Sequence, residues 1–244
     1  MHDRYRIQAE WTTAIRERLY RQADLHTASR ILEVGSGTGI ITEDLASRFK
    51  GQVFGLDIDP NVIVFAHEHD TQSLYLIGDG GRLPFSENSF DVTVCHFLLL
   101  WVSEPGAILS EMARVTKPKG WVMALAEPDY GGRIDYPETL IEIGELQAQS
   151  LAAQGSDPLI GRKLRAIFTH AGLKHIKVGV LGGEWTGSLS PEELNSEWRI
   201  LAADLKHTLS VDAMAAIRSV DQEAWRSGSR ILYVPTFYAC GCVS

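Results

Sequence analysis

The segment from Arg30 to Gly39 constrains this chain more than any other. Ile31-Leu-Glu-Val34 is a short, mostly apolar run that reads as a buried strand, and it leads straight into Gly35, Gly37 and Gly39. The next residues, Ile40-Ile-Thr-Glu-Asp-Leu45, have helical apolar spacing. A strand that breaks on glycines and restarts as a helix presents bare backbone at the carboxyl edge of a sheet. A small molecule can lie against that backbone. The pattern predicts an α/β fold with a site for a nucleoside-like ligand.

Spacing narrows the ligand. A dinucleotide fingerprint needs glycines at relative positions one, three and six, but here the sixth position is Ile40. The acid Glu33 stands two residues before the first glycine. A second strand, Val53-Phe-Gly-Leu-Asp57, ends in a carboxylate 22 positions after Gly35, where an acid can accept both hydroxyls of a ribose. A third, Ser73-Leu-Tyr-Leu-Ile77, runs into Gly78-Asp79-Gly80, and Asp79 is placed to accept a hydrogen bond from an adenine amino group. Three acids at successive strand tips repel a pyrophosphate and tolerate a sulfonium.

With these motifs in view, the chain resembles the class I S-adenosylmethionine-dependent methyltransferases of the compact "methyltransferase 11" type. Glu33-Val-Gly35-Ser-Gly37-Thr-Gly39 is similar to the family's first motif, Asp57 to its ribose-binding acid, and Asp79-Gly80 to its adenine-binding pair. Phe90-Asp-Val-Thr-Val-Cys-His96 with Phe97-Leu-Leu-Leu100 is similar to its fourth strand and exit, and Arg114-Val-Thr-Lys-Pro-Lys-Gly120 to its turn into the fifth strand. These matches span about residues 30 to 127 and fade outside. The resemblance implies S-adenosyl-L-methionine as cofactor, held by Glu33, Gly35, Ser36, Gly37, Asp57, Ile58, Asp79, Gly80 and His96. It also implies a basic residue of the amino-terminal helix, Arg6, at the methionine carboxylate, with Tyr5, Gln8 and Trp11 as wall residues. A doubly wound, mostly parallel seven-stranded sheet is implied, its last strand antiparallel between the fifth and sixth.

Residues outside the cofactor motifs carry the open questions. An amphipathic helix is expected over about 6–25. Further helices are expected at 39–49, after Pro60 (with Asp59 as N-cap), at 104–117 and at 159–172. The fourth strand is expected at 90–96, the fifth at 121–126, the sixth at 174–181 and the last over 231–242. The whole reads as one domain, 1–244, with a helical cap at 1–29, a cofactor-binding core at 30–127 and helical insertions at 131–157 and 188–227. The first insertion is the candidate lid. No motif marks the methyl acceptor or a base; His96, Asp129 and Tyr130 are the candidates to take a proton. Cys240-Gly-Cys242 has the spacing of a metal pair but lacks clustered partners, so no metal is expected.

Charge and cysteine content exclude other classes. The net charge of −8 disfavours docking on a phosphate backbone, so nucleic acid is not the expected substrate. Three cysteines make no disulfide framework, and no apolar span or cationic leader appears, so a cytoplasmic location without membrane contact is expected. The expected partner is a small organic acceptor, and a homodimer is possible. Three rivals remain at this stage: an NAD(P)-dependent oxidoreductase, a non-catalytic protein that binds S-adenosylmethionine, and a methyltransferase acting on protein side chains.

Overall fold

The computed structural model describes residues 2–182, 191–206 and 208–244. Two helices come first, α1 (His2–Trp11) and α2 (Thr13–Gln22), where the sequence suggests one continuous helix. The chain bends at Thr12, whose hydroxyl bonds to the Ala9 carbonyl at 3.1 Å and competes with the regular helix ladder. Strand β1 (Arg30–Val34), helix α3 (Ile40–Arg48), β2 (Gln52–Asp57), α4 (Pro60–His69), β3 (Leu74–Ile77), β4 (Phe90–Cys95), α5 (Pro105–Val115) and β5 (Thr116–Pro128) then alternate. At α4 the expected cap is present: Asp59 Oδ1 accepts from the Asn61 N–H at 2.8 Å, with Pro60 at the first helical position.

After β5 come β6 (Ile134–Tyr136), α6 (Ile141–Ala153), α7 (Leu164–His170) and β7 (Lys174–Val180). The chain ends with α8 (Pro191–Leu205), α9 (Val211–Arg226), β8 (Ile231–Tyr233) and β9 (Thr236–Cys242). The seven-stranded sheet has the order β3-β2-β1-β4-β5-β9-β7. Strands β1 to β5 pair in parallel, while β9 runs antiparallel to both β5 and β7. The implied place of the last strand is therefore correct, but the expected strand over 231–242 is two: β8 leaves the sheet and β9 begins after Pro235, which has no N–H to give a ladder.

Alternation along β1 sorts the two faces. Leu32 and Val34 pack with Phe54, Leu56, Leu109 and Met112 under α5 and α7; Ile31 packs with Ile15, Leu19, Ile41 and Leu45 under α2 and α3. Glu33 shares the face of Ile31 and is buried against α3. Because β1 hands the chain to β2 on one side and β4 lies on the other, a crevice opens at the carboxyl tips between them.

Two segments remote in sequence, one following β5 and one preceding β9, pack together as one unit. Strands β6 and β8 pair antiparallel, with Ile134 opposite Tyr233 and Tyr136 opposite Ile231. Leu140, Ile143, Trp198 and Leu205 make a small core of their own. A buried ionic chain runs through it. Asp135 joins Arg133 at 2.6 Å and Arg230 at 2.8 Å, Arg230 joins Asp221 at 2.7 Å, and Asp221 accepts from the Trp198 indole at 2.8 Å. The start of the second insertion, residues 188–190, lies outside the described residues.

Candidate active site at the strand tips

The glycine loop is tied to β2. Both Gly35 N–H, at 2.7 Å, and Ser36 N–H, at 3.0 Å, donate to the Leu56 carbonyl, and Gly37 N–H donates to Asp57 Oδ2 at 2.8 Å. Gly35, Gly37 and Gly39 have φ of 74°, 51° and 87°, in the left-handed region that a side chain resists. Asp57 Oδ1 accepts from Asp59 N–H at 3.0 Å, so each carboxylate oxygen retains a lone pair for a further donor. The Ser36 hydroxyl is buried with no partner among the described residues. Ile58 is 69% exposed, an apolar side chain standing in water beside Asp57. Asp79 is exposed and bonds Gly81 N–H at 2.8 Å, while Gly80 packs against Val34 and Ile108.

Helix α1 lies along this loop. His2 Nδ1 is 3.1 Å from the Thr38 hydroxyl, and the Tyr5 ring covers Gly37 so closely that a Cβ there would sit 2.9 Å from the ring. Farther along, the Thr12 hydroxyl reaches His96 Nε2 at 2.9 Å, at the exit of β4. The next residue, Phe97, holds a φ of 50°, a strained backbone value for an aromatic residue, and its ring meets His96 edge-on. Burial and the nearby Arg16 guanidinium push the His96 pKa down to about 3, so the imidazole is neutral near pH 7 and a poor base. Arg6 is exposed and pairs with Glu10 at 3.2 Å, Trp11 is 59% exposed, and Gln8 is half-buried.

The exit of β5 is built for support. Glu127 is fully buried, and its carboxylate accepts the N–H groups of Leu98, Leu99 and Leu100 at 3.0, 2.8 and 3.3 Å. It thereby fixes the turn that sets Leu98 on Gly35. Asp129 is buried and held by Arg162 through a two-pronged contact at 2.5 and 2.7 Å. Tyr130 is half-buried, its N–H on the Pro158 carbonyl at 2.9 Å.

Beneath the loop lies a polar layer in which the motif acid Glu33 meets partners that motif reading does not reveal. Glu33 accepts from the Thr42 hydroxyl; burial raises its pKa to about 8, with Asp57 adding to the rise. Arg16 is buried, donates to the Ala9 carbonyl and to the Thr12 hydroxyl, and meets Asp44 at 3.3 Å. The signal for Arg16 was its position. It falls four residues after Thr12 and four before Tyr20, on the same helix face as the buried Ile15 and Leu19. Among the described residues no cluster of three metal-ligating side chains occurs, and no helix is long and apolar enough to cross a membrane.

The segment that carries the glycine loop, Asp57 and Asp79 lies within a match to known proteins. Residues 32–124 fit a family described as a methyltransferase domain. That segment is similar to a methyltransferase domain. A Schizosaccharomyces pombe protein named as an uncharacterized methyltransferase is 30% identical over 168 residues, covering 64% of this chain and 60% of that one. A demethylmenaquinone methyltransferase from Corynebacterium glutamicum is 35% identical over 105 residues, covering 43% and 44%. This chain thus spans less than two thirds of the length of the curated relatives it matches. A structure of Haemonchus contortus phosphoethanolamine N-methyltransferase 2 with phosphomonomethylethanolamine and S-adenosylhomocysteine superposes with a TM-score of 0.62 at 19% identity. It covers 98% of this chain and 57% of that one, and shows the shared methyltransferase fold.

Proposed function

We propose that this chain transfers a methyl group from S-adenosyl-L-methionine to a small organic acceptor. The observation that carries the reading is the loop tied to Asp57, with free lone pairs on both carboxylate oxygens and an orphaned Ser36 hydroxyl beside them. Asp57 would take the ribose hydroxyls, Asp79 the adenine amino group and Ile58 one face of the ring. Gly35 and Gly37 would let the ligand touch backbone, and Glu33 would support the loop from below. Bound there, S-adenosylmethionine supplies an electrophilic methyl on a sulfonium. The residues' work is then alignment and exclusion of water, which in favourable intramolecular models lowers a barrier by about 7–11 kcal/mol.

Base catalysis finds little support at this edge. Glu127 is engaged by three backbone N–H groups, Asp129 by Arg162, and His96 is a weak base. Of the three candidate proton acceptors, His96 and Asp129 are therefore assigned to binding and support, and Tyr130 is left as the candidate. The favoured acceptor carries a nucleophile with its lone pair already available. The paired insertions and α1 form the cover, as parts of one domain. An oxidoreductase reading is disfavoured because Ile40 stands where the dinucleotide fingerprint has its third glycine. A net charge of −8 supports a non-nucleic acceptor, and we place the reaction in the cytoplasm, with a homodimer as the possible assembly.

Incubation with methyl-labelled donor and a panel of small amines, carboxylates, phenols and thiols tests this. Label in one acceptor class is the expected result. Donor binding without turnover across the panel would instead favour a protein that binds the nucleoside and acts through partner contact.

A further inference from the structure

On the reading given above, adenosine lies at the β3, β2 and β1 tips and the reacting end of the donor lies toward β4. Helix α1 covers the glycine loop, so an acceptor comes in over the tip of β5, one strand along at about 4.8 Å. Two turns frame that approach, residues 98–101 after β4 and residues 129–132 after β5. Glu127 of β5 holds the first through the Leu98, Leu99 and Leu100 N–H groups, and the Asp157 N–H donates to the Leu100 carbonyl at 2.7 Å. Trp101, on this turn, is 45% exposed.

The second turn carries a guanidinium held in one place. Arg162 reaches it from the segment before α7, and its Nε and Nη2 donate to Asp129 Oδ2 at 2.5 Å and Oδ1 at 2.7 Å. Asp129 is itself fixed, since it is buried and its Oδ1 also takes the Gly131 N–H at 3.1 Å. Glycine at 131 lets the head lie against the turn, because a Cβ there would sit 2.6 Å from both Nη2 and the Leu159 side chain. A guanidinium has five N–H donors in a rigid fork, and Asp129 occupies one side of it. The outer edge, Nη1 with the second Nη2 proton, presents two parallel donors, and Nη1 has no partner among the described residues. Half of the side chain is exposed. Most of the side-chain entropy that a free arginine loses on binding is already lost to Asp129. Asp129 balances the charge of the head but leaves the outer donors unspent. Lys163 and Arg165, both exposed, add positive charge beside it.

The geometry points to Arg162 as the residue that selects the acceptor: its outer edge takes a carboxylate carried by the acceptor, whose apolar body passes Trp101 and brings a separate nucleophile to the donor's methyl. The inference rests on the methyl-transfer reading and names its substrate class. In the transfer the nucleophile's lone pair forms the new bond to the methyl carbon, and the sulfur keeps the pair of the bond that breaks. The carboxylate stays charged and unchanged. A phosphate suits the same fork, but its second charge is opposed by Asp129 and Asp157 on this rim.

Matched acceptors offered with methyl-labelled donor test this: 4-hydroxyphenylacetate, 3-mercaptopropionate and 5-aminopentanoate, each beside its neutral amide. The wild-type chain is expected to use the acid of a pair at least tenfold better in kcat/KM. Arg162→Met should cut the acid's kcat/KM roughly ten- to hundredfold, the value of hydrogen bonds to a charged group, chiefly through KM, and move the amide's far less. Arg162→Lys keeps the charge without the fork and should regain only part of the loss. A merely structural ion pair would lower acid and amide together. Calorimetric titration of the S-adenosylhomocysteine-loaded chain with phenylacetate reads the same edge without turnover, and the expected saturable binding should vanish in Arg162→Met. No preference for acids in either assay, an equal loss for acid and amide, or tighter binding of phenyl phosphate than of phenylacetate overturns the inference. A chain that binds no S-adenosylhomocysteine overturns the donor reading instead, and phenylacetate titrated into the unloaded chain still reads Arg162.

Discussion

Asp57 and Glu33 carry the most chemistry per residue, and each fails in its own way. Asp57 offers one lone pair on each carboxylate oxygen while the other is spent on Gly37 N–H and Asp59 N–H. Asp57→Ala is expected to weaken S-adenosylhomocysteine binding by a few kcal/mol, the value of hydrogen bonds to a charged acceptor, and to loosen the loop as well. Unchanged affinity in a calorimetric titration would remove Asp57 from the ribose site. Glu33 behaves differently because burial lifts its pKa from 4.5 to about 8. Between those values the folded protein keeps a proton that the unfolded chain has lost, so stability falls as pH rises through that window. Glu33→Gln should flatten part of this decline in urea melts from pH 4 to 9. An identical pH profile for the two proteins would mean that Glu33 is already ionised in the fold. The placement of Asp57 and the glycines at neighbouring strand tips was legible from spacing. The neutral His96 and the supporting Glu127 were not, because nothing in the chain's order says that Thr12 and the 98–100 backbone reach them.

Among the elements, α1 and the insertion unit were the least legible. The sequence suggests one helix over 6–25, but the chain breaks at Thr12, where the hydroxyl and the buried Arg16 engage the Ala9 carbonyl. Its tight seat on the loop is testable at Gly37. Gly37→Ala adds a methyl 2.9 Å from Tyr5 at a φ of 51°, and is expected to cost about 1–2 kcal/mol from backbone strain alone. Hydrogen exchange should show α1 loosened in Gly37→Ala, and Tyr5→Ala added to it should relieve the contact but not the strain. The helices of both insertions were visible as patterns, yet their partnership was hidden, since residues 134–136 and 231–233 pair across almost a hundred positions. Asp135 sits between two buried arginines, so Asp135→Asn or Asp135→Ala should destabilise this unit by about 3–5 kcal/mol, as expected for buried charge left unpaired. Exchange protection should then drop in α6, α8 and α9 while β1 to β5 keep theirs. A uniform loss across the sheet would show that the insertions do not open as a unit.

For the whole molecule, the order of strands matters more than any single contact. Alternating strand and helix signals, Asp59-Pro60 at the start of α4 and the glycines after β1 were enough to place five parallel strands. What sequence order could not supply was the supporting layer under the loop and the split of the last strand at Pro235, both of which depend on packing between distant segments. The central claim is that the β3, β2 and β1 tips form a cradle for adenosine joined to an amino acid, with no provision for a diphosphate. Titration calorimetry of the full chain with S-adenosylhomocysteine and, in parallel, with NAD tests it most directly. Saturable binding of S-adenosylhomocysteine that Asp57→Ala abolishes or sharply weakens, with no heat from NAD, is the expected result; binding of NAD with none of S-adenosylhomocysteine would contradict the account.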